Sequence, residues 1–376
     1  MIAPGSWLGL LGGGQLGRMF TLAAQALGYR VVVLDPADYS PAGSVADGLI
    51  RAQFDDEDGL SELAQTVSAV TTEFENISAE TLRFLERHVY VRPSAGAVEI
   101  AQDRAREKNY LRENNFRTAP FELINNSEDV ASVANKITYP GLLKASRFGY
   151  DGKGQVRVNM PSEIGQAHNT LGLVPCVFEE FLDLDSEISV ILSRDSDGNK
   201  SFFPVAENQH VNGILDVTIA PARISDNLVN TAKKESGRLA DSLDYCGVLC
   251  VEFFVLGDGS LVINEIAPRP HNSGHFTIDA CTVSQFEQQV RLTAGLPQGE
   301  PQQHSPAVMI NLLGDLWEKG EPAWKEVLSS ANTKLHLYGK EQPRVGRKMG
   351  HLTVLGDDLE STIARAINLK KRLVKE

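Results

Sequence analysis

The stretch Gly12-Gly13-Gly14-Gln15-Leu16-Gly17 most narrows the folds open to this chain. It follows an apolar run at 7–11 (WLGLL), precedes a helical stretch reaching Leu27, and fits G-x-G-x-x-G at Gly12, Gly14 and Gly17. A strand that turns through glycines into a helix presents bare N–H groups and a helix N-terminus, a cradle for an anion. Residues 29–34 (YRVVVL) read as a second strand ending at Asp35-Pro36, and 68–72 (SAVTT) as a third before Glu73-Phe74-Glu75-Asn76. Strands alternating with helices predict a parallel sheet covered on both faces, over residues 1–100. Asp35, 18 residues after Gly17, stands where a dinucleotide fold places a ribose-binding carboxylate. Alone, this motif says NAD or FAD, and any tight strand-to-helix turn can need the same glycines.

A length of 376 residues suggests two or three domains at about 100–200 residues each. A charged, helical connector follows the first domain, from Ala101 to Asn115 (AQDRAREKNYLRENN). Short strands at 141–145, 155–158 and 176–181, with a helix over 162–171, make a small α+β unit, so that connector and unit together span 101–180. The remainder, 181–376, holds a hairpin, a helix over 229–243 and a final basic helix, and shows no internal repeat. With 36 Lys plus Arg against 49 Asp plus Glu, the chain repels a phosphate backbone, so nucleic acid is not an expected partner. No apolar run reaches the roughly 18 residues a membrane span needs. Cys176, Cys246, Cys250 and Cys281 form neither a disulfide framework nor a C-x2-C zinc spacing and read as buried thiols. The N-terminus has no basic segment or cleavage signal. A cytoplasmic location is the expectation.

Three further stretches carry chemistry. Phe148-Gly149-Tyr150-Asp151-Gly152-Lys153-Gly154-Gln155 follows a strand carrying Lys144. Its glycines let backbone close over a ligand, and Lys144 and Lys153 supply charge for phosphates. A flexible hairpin tip would explain the loop, but not a lysine inside an apolar strand, where an unpaired ammonium is costly. Strands at 247–256 and 260–266 meet at Asp258-Gly259, a two-residue turn signal. With that turn Gly257 faces Ser260, and Glu252 lies directly opposite Glu265. Opposed carboxylates repel, and a cation such as Mg²⁺ relieves them; otherwise one glutamate reaches solvent or an arginine. Asn264 would join them only through a bulge or a longer loop. Downstream, Pro268 to His275 form a polar turn dense in donors. Lys340, Arg344, Arg347 and Lys348 cluster in an acidic chain, as an anion pocket or as solvated surface charge.

In sum these stretches resemble the ATP-grasp enzymes and, among them, the N5-carboxyaminoimidazole ribonucleotide synthetases. The matching runs are GGGQLG (12–17), EFEN (73–76), QDRAREK (102–108), GYDGKGQ (149–155), NEIAPRPHNSGH (264–275), NLLGD (311–315) and GRKMGH (346–351). The resemblance implies a three-domain ATP-grasp fold, α/β and α+β, with an N-terminal parallel-sheet domain. It implies carboxylation of 5-aminoimidazole ribonucleotide by ATP and bicarbonate through carboxyphosphate, and a homodimer. Arg104 and Lys144 would contact ATP phosphates under the loop of Gly149, Tyr150, Asp151, Gly152, Lys153, Gly154 and Gln155. Glu179, Glu180, Phe181 and Leu182 would hold adenine, Glu187 the nucleotide ribose, and His210 would line the same site. Glu252, Asn264 and Glu265 would hold Mg²⁺.

The same resemblance gives Gln15, Leu16, Glu73 and Tyr150 to the aminoimidazole ribonucleotide, with His271, Asn272 and Ser273 lining the phosphate side. Lys340 and Arg347 would bind its 5′-phosphate, and Asp151 would handle a proton near the attacking amine. Asp151, Lys144, Lys340 and Arg347 form the expected catalytic set. The chain departs from the family pattern at Gln289, where T-S-Q-F-E-Q-H ends in histidine, and at Val345, where proline is common. Rival readings are a formate-dependent glycinamide ribonucleotide transformylase, a nicotinamide or flavin oxidoreductase resting on Gly12 to Gly17 and Asp35, and a catalytically dead nucleotide binder.

Overall fold

The computed structural model describes residues 1–147, 149 and 153–373. The sequence patterns fold into three sheets. The first is fully parallel, with strands in the order Gly48–Ile50, Arg30–Leu34, Trp7–Leu11, Ala69–Thr72, Tyr90–Val91. Its strands are continuous apolar runs because both faces are covered. Leu11, Val32 and Leu34 face one cluster with Leu60, Leu63, Leu82 and Leu85. Leu8, Leu10, Val31 and Val33 face the opposite cluster, which includes Phe20, Val290 and Ala294. Val290 belongs to the helix Gln285–Thr293, so an element far along the chain closes this face and ties the N-terminal sheet to the rest.

The second sheet is antiparallel, with strands Phe121–Ile124, Cys176–Glu180, Gly141–Ala145 and Gln155–Val158 adjacent in that order. The third has nine strands among the described residues, all antiparallel. Its path runs from Leu261–Ala267 and Gly247–Leu256 through Leu184–Arg194 to Lys348–Leu355 and Thr333–Leu337. One core cluster lies beneath the hairpin, where Ile188, Val190, Leu192, Leu249, Val251 and Phe253 pack with Leu239 of the helix Asp226–Ser242.

The hairpin corrects one expectation and keeps its consequence. Pairs Phe253↔Ile263, Phe254↔Val262 and Val255↔Leu261 are shifted by one residue from a two-residue turn, and the Leu256 N–H donates to the Ser260 carbonyl. The loop is therefore three residues long, Gly257, Asp258 and Gly259, with Gly259 at φ +77°, the left-handed position such loops reserve for glycine. Leu256, not Gly257, faces Ser260. A bulge between Phe253 and Glu252 then takes up Asn264 as the extra residue, and Glu252↔Glu265 is restored. The anticipated bulge and the longer loop are both present.

Candidate active site

The glycine turn after Trp7–Leu11 is filled by the chain's own carboxylates. The Gly13 N–H donates to Asp35 Oδ2 at 2.7 Å, and the Gly14 and Gly17 N–H groups donate to the two oxygens of Glu73. A Cβ on Gly14 would sit 2.4 Å from Glu73 Oε1, so glycine is required there by close approach. Asp35 also accepts from the Ala37 N–H. The anion at this helix N-terminus is thus Glu73, not a dinucleotide pyrophosphate, and the oxidoreductase reading loses its basis. Burial, reinforced by Asp35, pushes the Glu73 carboxyl up to about 7 against the pull of the two N–H donors.

Beside this turn, Lys340 reaches across from the C-terminal segment. Its Nζ donates to Gln15 Oε1 at 2.7 Å and to the Lys348 carbonyl at 2.6 Å. The Tyr39 hydroxyl donates to the Gly339 carbonyl, a second tie between the same segments. Arg347 and Gly346 are held on a loop closed by the Gly314 N–H to the Arg347 carbonyl and by the Gly346 N–H to Asp315 Oδ2. The Arg347 guanidinium donates to the Gln342 carbonyl. The structure thus seats Gln15 and Lys340 together with Glu73 at one seam, with Arg347 on the adjoining loop.

A buried ionic cluster forms where the helix Arg104–Glu113 meets the two antiparallel sheets. Asp103 caps this helix by accepting from the Ala105 and Arg106 N–H groups, which places Arg104, Glu107 and Lys108 one turn apart on a single face. Lys144 Nζ donates to Glu179 Oε2 at 2.9 Å. Lys108 Nζ lies 3.5 Å from the same oxygen and donates to Thr118 and to the Asn264 carbonyl. Arg104 Nη1 donates to Glu265 Oε2 at 3.3 Å. Although burial opposes it, Lys108, Lys144 and Arg104 hold Glu179 at about 2. Burial pushes Glu107 up to about 8. Three basic side chains, Arg104, Lys108 and Lys144, thus face Glu179 and Glu265, while burial favours the neutral form of Glu107.

Glu252 and Glu265 open onto this cluster from the hairpin. Glu252 Oε1 is 2.8 Å from His271 Nε2, and the imidazole holds the buried carboxyl below its usual range against the upward push of burial. Ser273 aligns that ring: its N–H donates to His271 Nδ1, and its hydroxyl lies 2.9 Å from the same atom. Ser189 Oγ in turn donates to Ser273. Asn264 Oδ1 and both side-chain polar atoms of Asn272 are buried without a hydrogen-bond partner among the described residues. Two carboxylates beside an unpartnered amide oxygen are a hard oxygen donor set, which suits Mg²⁺. His210 Nδ1 is 3.1 Å from Glu187 Oε2; burial lowers the ring, but Glu187 outweighs it and raises the histidine.

On the strand Cys176–Glu180, the Glu179 side chain is turned to the two lysines. The Glu180 N–H donates to the Pro120 carbonyl and the Phe181 N–H to the Pro140 carbonyl. Phe181 itself lies just past the strand end, with the Arg157 guanidinium 4.4 Å from its ring centre. At the glycine loop, the Ala145 N–H donates to the Gly154 carbonyl, pairing the loop's base. Gly149 and Lys153 to Gln155 flank it, while Tyr150, Asp151 and Gly152 lie outside the described residues.

Several participants escape sequence reasoning. Lys108 and Glu107 sit in the quoted QDRAREK run, but a highly charged helix reads as a solvated connector. Arg269 donates to Glu75 across the seam, at 3.1 Å for one contact. Although burial opposes it, that arginine holds Glu75 at about 2.

Comparison with known proteins matches three family descriptions along the chain. They are a ribonucleotide synthetase preATP-grasp domain over residues 6–102, an ATP-grasp domain over 109–286 and a phosphoribosylaminoimidazole carboxylase C-terminal domain over 307–365. The N5-carboxyaminoimidazole ribonucleotide synthase of Brucella melitensis biotype 1 is 45% identical over 355 residues, covering 94% of this chain and 97% of its own. The Staphylococcus aureus N5-carboxyaminoimidazole synthetase, solved with ADP, superposes with a TM-score of 0.92 at 37% identity, covering 98% of each chain. The Aspergillus clavatus N5-carboxyaminoimidazole synthase, in complex with ADP and 5-aminoimidazole ribonucleotide, gives 0.89 at 32% identity over 98% of this chain and 99% of that one. Fold, buried site and full-length identity agree, and the chain belongs to the N5-carboxyaminoimidazole ribonucleotide synthases, a family of ATP-grasp ligases.

Proposed function

We propose that this protein uses ATP to carboxylate the exocyclic amine of 5-aminoimidazole ribonucleotide with bicarbonate, releasing ADP and phosphate. The observation that carries the reading is that Lys348 links two sites of different character: its carbonyl accepts from Lys340 at the first, and its charge acts on Glu252 at the second. One is a seam where Glu73, Gln15 and Lys340 meet; the other is a buried cationic cluster next to an opposed glutamate pair.

In this reading Arg104 and Lys144 bind the nucleotide phosphates, with the loop Gly149 to Gln155 closing over them. Glu179, Glu180, Phe181 and Leu182 border the adenine, and Glu187 and His210 the ribose. Because the Glu180 and Phe181 N–H groups are already paired, the base is left to the Leu182 N–H and to strand carbonyls. Glu252, Asn264 and Glu265 would hold Mg²⁺, which neutralises phosphate charge when bound. Gln15, Leu16 and Glu73 orient the ribonucleotide, Lys340 and Arg347 take its 5′-phosphate, and His271, Asn272 and Ser273 line the bicarbonate and phosphate side. Asp151 is proposed to accept the proton from the attacking amine, with Tyr150 beside it.

Phosphoryl transfer asks a protein mainly for positioning and charge neutralisation, which these residues provide. Carboxyphosphate hydrolyses readily, so the loop at 149–155 must also exclude water. We divide the chain at 1–100, 101–180 and 181–376, and propose a cytoplasmic homodimer; the four free cysteines suit a reducing compartment. No helix among the described residues is long and apolar enough to cross a membrane. The deciding experiment measures ADP release with the ribonucleotide and bicarbonate each supplied or left out. Dependence on both, with labelled bicarbonate entering an acid-labile product, is the expected result. ADP release independent of the ribonucleotide overturns the substrate assignment, and a requirement for formate instead points to the transformylase.

A further inference from the structure

One buried group at the hairpin has no part in this chemistry. Cys250 and Glu252 are two residues apart on the strand Gly247–Leu256, so their side chains leave the same face. His271 opens the turn Asn272–Gly274 above that face. One ligand atom from each of Cys250, Glu252 and His271 lies within 4.8 Å of the others. Cys250 is fully buried.

We propose that Cys250, Glu252 and His271 form a binding site for a thiophilic divalent cation, Zn²⁺ above all, which shuts down the Mg²⁺-dependent reaction by taking Glu252 and His271. Sulfur, imidazole nitrogen and carboxylate oxygen are the three donor types Zn²⁺ accepts in tetrahedral sites, with a fourth position for water. Mg²⁺ has no use for the sulfur. The imidazole is already directed at the site: Nε2 faces Glu252, and Nδ1 lies 2.9 Å from the Ser273 hydroxyl, an acceptor for an Nδ1–H. A fixed ring of this kind strengthens metal binding. On binding, the Cys250 thiol proton passes to solvent, and the ring keeps its one proton on Nδ1, facing the Ser273 hydroxyl, so that Nε2 is free to ligate. One thiolate, one carboxylate and a neutral imidazole then balance the dication, so no net charge is buried. Inhibition of turnover rests on the proposed role of Glu252; the binding itself does not.

The test uses the full chain. Titration with Co²⁺, a spectroscopic stand-in for Zn²⁺, is expected to give a sulfur-to-cobalt charge-transfer band saturating at one equivalent and absent in Cys250→Ala. Turnover at excess Mg²⁺ is then followed against free Zn²⁺ held by a metal buffer. Cys250→Ala should match the parent without Zn²⁺ and need about 100-fold more Zn²⁺ for half-inhibition. A Co²⁺ spectrum without the sulfur band, or equal Zn²⁺ sensitivity in the two proteins, overturns the proposal. A sulfur band in a protein with no ribonucleotide-dependent turnover upholds the metal site and removes the functional reading instead.

Discussion

Glu252 and Glu265 stand directly opposite each other across a bulge that takes up Asn264. Neither carboxylate is left alone: His271 is 2.8 Å from the first and Arg104 is 3.3 Å from the second. The repulsion expected of a facing pair is therefore relieved by two partners on separate elements, a histidine ring and an arginine. The pair is also poised, since a dication arriving between the glutamates competes with partners that belong to the same site.

Glu265→Gln removes one charge of this pair with little change of shape. Turnover should fall by about 100-fold or more, while the far-ultraviolet circular dichroism spectrum stays that of the parent. ADP release under saturating Mg²⁺ and ATP measures it. Full activity in the variant would sink the metal assignment.

Glu179 gives a stability prediction with a definite sign. Its carboxyl is held at about 2 in the folded chain against an ordinary 4.5. A depressed carboxyl stabilises above its unfolded value and loses that contribution as pH falls from 4.5 towards 2, about 3 kcal/mol in all. Glu179→Gln also leaves Lys108 and Lys144 buried without their shared counterion, which costs about 3–5 kcal/mol at neutral pH. Urea unfolding should show the variant far weaker than the parent at pH 7, with the gap shrinking as the pH approaches 3. A gap that does not change with pH contradicts the charge argument.

Glu73 runs the other way. Its carboxyl is raised to about 7, so its contribution is fully present below 4.5 and is lost as pH rises through 7, again about 3 kcal/mol. Between pH 5 and 8 the parent should lose stability relative to Glu73→Gln, which cannot titrate. The two unfolding curves, compared at both ends of that window, decide it. Parallel curves mean that Glu73 ionises at its ordinary value.

What could be read in advance follows from where the ordering forces act. Trp7–Leu11 and Arg30–Leu34 are legible because both faces are buried and the residues are apolar in unbroken runs. The Glu252–Glu265 facing is legible from the turn, yet for an incomplete reason: the loop is one residue longer and the bulge at Asn264 compensates. Bulges carry no strong sequence signal, since the extra residue is dictated by the site it serves. Lys108 is illegible because its burial is decided by Glu179 and the Asn264 carbonyl, which are distant in sequence. Gln289, where the family pattern ends in histidine, donates to the Thr71 hydroxyl across the domain seam; only the packing of Gln285–Thr293 on the first sheet reveals that the substitution keeps a donor there.

The seam also yields a prediction that separates charge from shape. Arg269 and Glu75 are partly buried and paired across a separation of 194 residues. Arg269→Met leaves the partly buried Glu75 carboxylate without its partner, at a cost of about 1–3 kcal/mol. Glu75→Gln alone strands the arginine and should cost a similar amount. Combining the two removes both charges while nearly keeping the volume, so the double variant should be more stable than the sum of the single losses by about 2 kcal/mol or more. Chemical denaturation of all four proteins at pH 7 closes the cycle. Simple additivity would mean that the two groups do not support each other, and that the N-terminal sheet is held to the ATP-grasp domain by apolar packing around Val290 and Ala294 instead.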